Sequence, residues 1–338
     1  MNLNKYFKAF HEIKSPIRFK ESVQKYELNI FRNLSKFDET KLTLKGKSFT
    51  IHERGKVREI TATPISQRPY VHCLCKELFS QLKPYLFYDN GASQKGKGID
   101  FTRKRFEIHL HRFYRKYKDG YILKGDFSKF FDSVDHETLL NELKNKINVY
   151  YINIIRNILK EHNDSGKSVD IGSELSQIMG IFYCTKFDNF IKIVKSVKFY
   201  GRYMDDFYII HHDKEFLKNL LKELKIIAEE LKLKLNLKKT KIIKLHSKFT
   251  FLQVKYFLTN TGKLIKSPIS KFFKREIVKL RKLQRLNINT LKQFKSWYGM
   301  ANRSRVNTYH RLPRELRIWK TKLLLMERNI LNKKLTIW

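Results

Sequence analysis

The sequence predicts an α+β fold in which short antiparallel strands pack with longer helices. Runs of aromatic and β-branched residues at 197–200 and 207–210 flank a tight turn, and runs of this length and composition are typical of strands. The longer segment 216–231 repeats apolar residues at helical spacing. With 338 residues, the chain is long enough for more than one subdomain around a real core.

The charge of the chain predicts a polyanionic partner. Lysine and arginine number 71 against 32 acidic residues, which gives a formal net charge of +39. This surplus exceeds what solubility requires, although a generic basic surface is the alternative. The hydrophobic share of 42% fits a folded chain and excludes a disordered basic tail.

Cysteine content and hydropathy predict the compartment. Cys73, Cys75 and Cys184 are the three cysteines, which are too few for a disulfide framework and poorly spaced for zinc. No signal peptide is recognisable, and no apolar run approaches the length of a membrane span. We therefore expect a reduced cytoplasmic protein without a membrane partner.

The elements before residue 100 are predicted in the following order. Residues 1–50 form a basic, helical extension, and residues 51–69 form strands with a turn at positions 54–55. A helix follows at 70–86. The loop at 90–98 nearly matches a nucleotide-binding P-loop, but glycine stands where Ser or Thr would hold magnesium, so this interpretation is rejected.

Carboxylates mark two of the predicted strands. Asp205 and Asp206 are expected at the tip of a tight hairpin, and Asp126 lies near the end of the strand-like segment 121–131. Adjacent like charges are unfavourable unless a cation neutralises them, and oxygen-only ligands suit Mg²⁺. Three aspartates from neighbouring strands predict a two-metal site of the kind used in nucleotidyl transfer. The alternative is an Asp–Asp pair that only caps a turn.

The remaining acidic residues are interpreted as structural. Asp135 is a natural N-cap for a helix, so Asp132 and Asp135 are not counted among the metal ligands. The predicted elements are a helix at 138–147, a helix at 178–194, a helix capped by Asp213 through 231, a strand and turn at 233–241, and a basic helical region from about residue 266.

A family resemblance rests on these motifs. Tyr203, Met204, Asp205 and Asp206 followed by apolar residues, with Asp126 upstream, resemble the palm of reverse transcriptases over about residues 50–310. The resemblance implies a right-hand polymerase fold with an extension at 1–50, fingers at 51–120, a palm at 121–265 that carries part of the fingers, and a helical thumb at 266–338. It implies an RNA-directed DNA polymerase that uses an RNA template, a DNA or RNA primer and deoxynucleoside triphosphates, in the cytoplasm of a bacterial or phage-infected cell.

The same resemblance implies functional residues. The catalytic carboxylates are Asp126, Asp205 and Asp206, and the set around two Mg²⁺ ions, or Mn²⁺, also includes Phe127. The implied nucleotide-binding residues are Lys56, Arg58, Arg68, Phe131, Ile171, Gly172 and Lys239, and the implied nucleic-acid-binding residues are Lys95, Lys97 and Trp297.

Several alternatives stay open for these residues. Lys241 is an alternative to Lys239 beside the departing pyrophosphate, and Arg58 is alternatively an exposed strand charge. Phe131 is implied to block a ribose 2′-hydroxyl, but it is alternatively a core residue. The basic loop at 90–98 either contacts template backbone or is a flexible surface loop.

Two residues suggest a branch of the family. The sequence is most similar to group II intron-like bacterial enzymes, and Ile171 and Gln177 stand where intron enzymes carry glutamine and proline. This pattern resembles the enzymes of diversity-generating retroelements, which copy adenines with errors. Alternatives are a defence-associated reverse transcriptase that works with a structured noncoding RNA or an accessory protein, and a catalytically silent RNA-binding protein.

Overall fold

The computed structural model describes residues 3–36, 42, 46–53, 56–162, 166–169, 172–281, 291–295, 297–298 and 317–326. The chain divides into two compact units. The first contains residues 1–109 and 122–242, and the second contains residues 110–121 and 243–338. Within the described ranges, every helix is too short or too polar to cross a bilayer.

The first unit begins with helices and a hairpin. Tyr70, near the start of α4, donates a hydrogen bond from its hydroxyl to the carbonyl of Leu34 at 3.0 Å, which ties α4 to the N-terminal helices. The expected turn at positions 54–55 lies outside the described residues. The elements are α1 (Leu3–Lys14), α2 (Glu21–Leu28), α3 (Ile30–Ser35), β1 (Lys47–Glu53), its antiparallel partner β2 (Lys56–Ala62) and α4 (Arg68–Leu82).

A four-stranded sheet lies at the centre of this unit. The strand order is β4-β5-β3-β6. β4 and β5 form the predicted antiparallel hairpin, in which Tyr203 pairs with Asp206, so that Met204 and Asp205 form a two-residue turn. Asp126 is the last residue of β3, as the sequence indicated. The strands are β3 (Tyr121–Asp126), β4 (Phe199–Tyr203), β5 (Asp206–His211) and β6 (Lys241–Lys244).

Two predicted caps are confirmed. Asp135 accepts a hydrogen bond from the Thr138 backbone N–H at 3.0 Å at the start of α7. Asp213 accepts one from the Glu215 N–H at 2.8 Å at the start of α11. These helices of the unit are α5 (Ile99–Tyr117), which continues into the second unit, α6 (Phe130–Ser133), α7 (His136–Leu143), α8 (Val149–His162), α9 (Glu174–Tyr183), α10 (Thr185–Asn189) and α11 (Lys214–Glu230).

Several predicted elements differ from the structure: α7 ends at Leu143 and β2 at Ala62, short of the expected 147 and 69, and three others differ in kind. The helix expected at 178–194 is interrupted at Cys184 and continues as α10 and a π-helical turn at 190–194; the Thr185 hydroxyl donates to the Phe182 carbonyl there, and such local bonds compete with the helix. In the segment 233–241 the expected turn is present at 237–239, but the expected strand is reduced to an isolated bridge between Phe127 and Leu235. The region after residue 266 is helical only from Ser270, because β9 extends to Pro268.

The second unit contains a three-stranded antiparallel sheet and helical segments. Leu252 and Gln253 both have positive φ, 43° and 68°, and connect β7 to β8 in a two-residue turn. Trp297 packs in an apolar cluster with Leu280, Leu291, Phe294 and Leu323. The elements are β7 (Phe249–Phe251), β8 (Val254–Leu258), β9 (Leu264–Pro268) and α12 (Ser270–Arg281).

Candidate active site

The end of β3 and the β4–β5 turn meet at one end of the central sheet. The Phe127 backbone N–H, next to Asp126, donates to the Asp205 carbonyl at 3.2 Å. Gly125 permits this approach, because a Cβ built at that position would lie 2.1 Å from Cζ of the Phe207 ring. Met204 has a φ of 53°, the left-handed conformation that bends the turn. The fold therefore brings Asp126 and Asp205 to the same place.

Asp126 is held by residues from the segment after α11. Its side chain is almost fully buried, and Lys239 Nζ lies 2.6 Å from its Oδ2. The Asn236 backbone N–H donates to the Asp126 carbonyl at 2.7 Å, and Asn236 Nδ2 lies 3.4 Å from Oδ2. Asn236 thus contacts both the backbone and the carboxylate of Asp126. Asn236 was not among the predicted site residues. The one signal for it in the sequence is its position three residues before Lys239.

Burial and mutual repulsion shift the titration of the hairpin carboxylates. Burial, and then the nearby charge of Asp126, raises the pKa of Asp205, while Lys239 and Arg58 oppose the shift. Burial, and then Asp205, raises the pKa of Asp206 to about 6. Burial alone would lower the pKa of Lys239, but its ion pair with Asp126 raises it. The carboxylates are therefore destabilised in their charged form, and an added cation would favour them.

The donor atoms fit a hard divalent cation. In the part of the chain that the structure describes, no group of three or more His, Cys, Asp or Glu side chains is gathered as a metal cluster. The available donors are nevertheless carboxylate oxygens that repel each other, and one of them already pairs with an ammonium group. Oxygen donors of this type suit Mg²⁺ and similar ions. Asp126, Asp205 and Asp206 are the residues that would hold the ion.

A cavity of about 1170 Å³ opens beside Asp126 and Asp205, whereas Asp206, the first residue of β5, is not part of its lining. Arg58 reaches it from β2, and Phe131 reaches it from α6. Phe131 is half-buried, whereas its neighbour Phe130 is 4% exposed, so Phe131 is not a simple core residue. The predicted site residues that line the cavity are Arg58, Asp126, Phe127, Phe131, Asp205 and Lys239. Residues that sequence reasoning had not selected include Ser48, Glu59, Asp132, Glu161, Ser168, Val169 and Asn236.

Other predicted nucleotide-binding residues lie elsewhere or outside the described residues. Arg68 Nε donates to the Thr63 carbonyl at 2.7 Å, so its guanidinium joins α4 to the residue that follows β2 and is not part of the cavity lining. Gly172 has a φ of 121°, and a Cβ there would lie 2.8 Å from Cγ2 of Ile60. Ile171 and the side chain of Lys56 lie outside the described residues.

The basic loop at 90–98 is attached to the sheet at its start, and its tip at 95–96 is exposed. The Gly91 N–H donates to the Arg202 carbonyl at 3.0 Å, and the Ser93 hydroxyl donates to Gln177 Oε1 at 2.8 Å. Lys97 Nζ donates to the carbonyls of Tyr88 at 2.8 Å and Asn90 at 3.2 Å.

These contacts change the roles expected for the predicted nucleic-acid-binding residues. Desolvation lowers the pKa of Lys97. This fits an ammonium group that stabilises its own loop and does not fit one that faces a phosphate. Lys95 is exposed. Trp297 is only 8% exposed within its apolar cluster, because Leu280 and Phe294 pack beside it, and little of its surface is accessible to nucleic acid.

The fold and the site define a class of protein. The mixed helices and antiparallel sheets, with aspartates at the end of β3 and in the β4–β5 turn, are those of a right-hand polymerase fold. The family described as "Reverse transcriptase (RNA-dependent DNA polymerase)" matches residues 51–256. The chain belongs to this family, whose members use divalent metal ions. No curated protein sequence matches the chain.

Solved structures support the same fold. Telomerase from Candida albicans, in complex with a TWJ fragment of telomeric RNA, is 12% identical, with a TM-score of 0.51 over 84% of this chain and 60% of that chain. Apo telomerase from Candida tropicalis is 15% identical, with a TM-score of 0.51 over 76% of this chain and 52% of that chain. The chain thus spans little more than half the length of these proteins, and at such identities the likeness shows the fold alone.

Proposed function

We propose that this chain is an RNA-directed DNA polymerase that extends a DNA or RNA primer along an RNA template with deoxynucleoside triphosphates. The observation that carries the proposal is the meeting of Asp126 and Asp205 beside a large cavity in a chain of the reverse transcriptase family. The formal charge of +39 supports nucleic acid as the partner. The proposed subdomains are the extension at 1–50, the fingers at 51–120, the palm at 121–265 and the thumb at 266–338.

The chain's residues would divide the work as follows. Two Mg²⁺ or Mn²⁺ ions, held by Asp126, Asp205 and Asp206, would supply activation of the primer 3′-hydroxyl and neutralisation of the triphosphate. Arg58, on the cavity wall, would bind phosphate oxygens. Lys239 lies on the same wall and would stabilise the departing pyrophosphate. Phe131 would exclude a ribose 2′-hydroxyl by contact with the sugar.

Removal of a carboxylate charge tests the polymerase activity. Asp126→Asn and Asp205→Asn should abolish primer extension while template–primer binding and the melting temperature stay near those of the parent, because the substitution removes a metal ligand and keeps the side-chain shape. Asp213→Asn is the matched control, since asparagine is an equally good helix cap, and it should remain active. Normal extension by either site variant would remove the polymerase proposal.

We further propose that the enzyme is the error-prone polymerase of a diversity-generating retroelement. An isoleucine at position 171 offers shape but no hydrogen bond, and apolar contact separates close analogues by only about 1–3 kcal/mol. Sequencing of cDNA from a defined RNA template should show errors concentrated at adenines, and Ile171→Gln should reduce them. Ile193→Gln, at a residue that is 70% exposed, is the control and should leave the error rate unchanged.

The same experiment decides the alternative role. Uniformly faithful copying by the parent chain would contradict the retroelement role and favour a defence-associated enzyme that works with a structured noncoding RNA or an accessory protein. All three cysteines are free and buried, which fits the proposed reducing cytoplasm. The template RNA would then be sought by purification from the native cell.

A further inference from the structure

A fully buried arginine lies in the strand that leads to the hairpin turn. The side chain of Arg202, in β4, is 0% exposed and that of its partner Asp188, in α10, is 2% exposed. Arg202 Nε donates to Asp188 Oδ1 at 2.8 Å, and Nη2 donates to Oδ2 at 2.5 Å. The Tyr200 hydroxyl donates to the same carboxylate at 2.5 Å. Burial of an ion pair is weak evidence of a stabilising role by itself, so its retention calls for another explanation.

The guanidinium also contacts the turn itself. Arg202 Nη1 donates to the Met204 carbonyl at 3.0 Å. That carbonyl belongs to the peptide group that joins Met204 to Asp205, and Met204 has a left-handed φ of 53°. A residue other than glycine adopts this conformation only where the surroundings hold it. The hydrogen bond from Arg202 therefore fixes the orientation of the peptide that immediately precedes Asp205.

Arg202 is itself held from several directions. Its Nη2 also donates to the Ile181 carbonyl of α9 at 2.9 Å. Its backbone N–H donates to the Asp89 carbonyl at 3.2 Å, and its carbonyl accepts from the Gly91 N–H at 3.0 Å. The arginine thus connects α9, α10 and the loop around residue 90 to the hairpin turn, and all these contacts lie within the first unit.

We infer that Arg202, oriented by Asp188, is a positioning residue for Asp205 in the polymerase reaction. The inference rests on the proposed polymerase function and goes beyond it. Arg202 does not touch the cavity; it acts through the Met204 carbonyl. Misplacement of a reacting group by about 1 Å can lower a rate about 100-fold, so loss of this hydrogen bond should lower kcat while nucleotide KM and template–primer affinity change less than twofold.

The test must separate positioning from stability. A triple variant, Arg202→Met with Asp188→Leu and Tyr200→Phe, replaces the whole buried polar group by apolar side chains of similar size, and such replacement is often neutral for stability. Arg202→Lys is the second variant, because its single ammonium can pair with Asp188 but cannot reproduce the guanidinium fork that also reaches Met204. Tyr183→Phe is the control: its hydroxyl donates to the Leu231 carbonyl at 2.6 Å and accepts from the Asp135 N–H at 3.3 Å, and the substitution removes these buried bonds, neither of which involves the turn.

Primer-extension kinetics, melting temperature and the Mg²⁺ concentration that half-maximally raises the melting temperature would be measured for each variant. We expect the triple variant to melt near the parent, with kcat about 100-fold lower and with a higher Mg²⁺ requirement in the melting experiment, whereas Tyr183→Phe keeps the parent kcat. If the triple variant does not fold, Arg202→Lys provides the test: its kcat should fall while nucleotide KM and template–primer affinity change less than twofold. Parent-like kcat and Mg²⁺ dependence in a folded variant would overturn the inference, whereas an inactive parent chain would instead reject the proposed function.

Discussion

Two ion pairs of the first unit each join a basic side chain to an aspartate at a similar distance, but their surroundings are opposite. Arg202 and Asp188 are 0% and 2% exposed, with 2.5 Å between Nη2 and Oδ2. Lys239 and Asp126 are 50% and 3% exposed, with 2.6 Å between Nζ and Oδ2. The first pair has no access to solvent, so no cation from solution can replace Arg202 beside Asp188. It is therefore a fixed part of the scaffold. The second opens to the cavity, where Lys239 can leave the carboxylate when another cation arrives.

The two pairs differ in the burial of the basic side chain and not in distance, and this burial separates the structural pair from the functional one. An ammonium on a flexible stem is easily replaced, whereas a guanidinium with several fixed acceptors is not. The pair that can exchange lies where charge changes during the proposed reaction.

The fixed pair should be the more sensitive to loss of one partner. Arg202→Met leaves the Asp188 carboxylate buried without its cation, and breaking a buried pair in this way typically costs about 3–5 kcal/mol, or about 10 °C in melting temperature for a chain of this size. Thermal denaturation measures the effect. A fall smaller than that of Lys239→Gln would reverse the comparison.

The contact between β3 and β5 should be nearly as intolerant of change. Gly125→Ala would place a methyl group 2.1 Å from Phe207 Cζ, and overpacking of this kind typically costs about 1–3 kcal/mol. We expect a lower melting temperature. We also expect a fall in primer extension that the loss of stability does not explain, because Asp126 is adjacent to Gly125 and Asp206 is adjacent to Phe207. Gly96→Ala is the comparison variant: a Cβ there meets no atom within 4 Å, although its positive φ of 76° adds backbone strain.

Loss of the exchangeable pair should affect activity more than stability. Lys239→Gln removes a half-exposed ammonium, so the melting temperature should fall less than in Arg202→Met. The loss of a cation beside the departing pyrophosphate should lower kcat about 100-fold. Lys241→Gln, at an exposed residue of β6, is the matched control. Loss of activity in the Lys241 variant alone would move the role to Lys241.

A smaller change at α9 should alter sugar selection. A Cβ at Gly180 would lie 3.2 Å from Phe131 Cε1 and 3.3 Å from Phe130 Cε1. Phe130 is buried, so the half-buried Phe131 ring must yield, toward the cavity that it lines. Gly180→Ala should therefore lower ribonucleotide incorporation relative to deoxynucleotides by about 2–10-fold.

The opposite substitution provides the control for sugar selection. Phe131→Ala should increase ribonucleotide incorporation, because it opens the space that the ring fills. Unchanged selectivity in both folded variants would show that Phe131 does not contact the sugar. Since alanine favours a helix over glycine by about 1 kcal/mol, Gly180→Ala should not lower the melting temperature, so a change in selectivity would not reflect unfolding.

The smallest effect concerns an ion pair whose cation titrates. His72 Nδ1 lies 2.8 Å from Glu174 and Nε2 lies 2.9 Å from Glu12, so one imidazole joins α4, α9 and α1. The hydrogen bond to Glu174 raises the pKa of His72, burial and the charge of Lys76 oppose this shift, and the bond to Glu12 reinforces it.

A raised pKa for a histidine fixes the sign of the pH dependence. The stabilisation is fully present below the pKa of His72 in the unfolded chain, about 6.5, and is lost as the pH rises through its higher folded value. The parent should therefore lose about 1–3 °C in melting temperature across that window, and His72→Gln should lose less. Equal pH profiles for the two proteins would contradict this assignment.

Features that depend on neighbouring residues in the sequence could be predicted. The β4–β5 hairpin follows from two short apolar runs around a turn, and Asp135 and Asp213 cap helices because a carboxylate precedes helical segments. The position of Asp126 at the end of β3 follows from the same local pattern. These features need no knowledge of what packs against them.

Features that depend on distant partners could not be predicted. Lys97 looks like any exposed lysine until the carbonyls of Tyr88 and Asn90 are seen around it. Arg68 turns to the Thr63 carbonyl for the same kind of reason. Asn236 is selected only by its contact with Asp126, a residue 110 positions away. The long predicted helix at 178–194 breaks at Cys184, where a side-chain hydroxyl competes for a helix carbonyl.

The contact between Gly125 and Phe207 has a consequence for how the sequence can change over generations. Since the Phe207 ring fills the space beside the glycine, position 125 is not free to change alone: a larger residue at 125 becomes acceptable only after the aromatic at 207 has been exchanged for a smaller side chain. The residue that position 125 accepts therefore depends on the residue at position 207, and the order of the two substitutions matters. In a library randomised at both positions, the functional members should therefore carry pairs of matched size. The combined side-chain volume at positions 125 and 207 should stay nearly constant, so that a larger residue at one position accompanies a smaller one at the other.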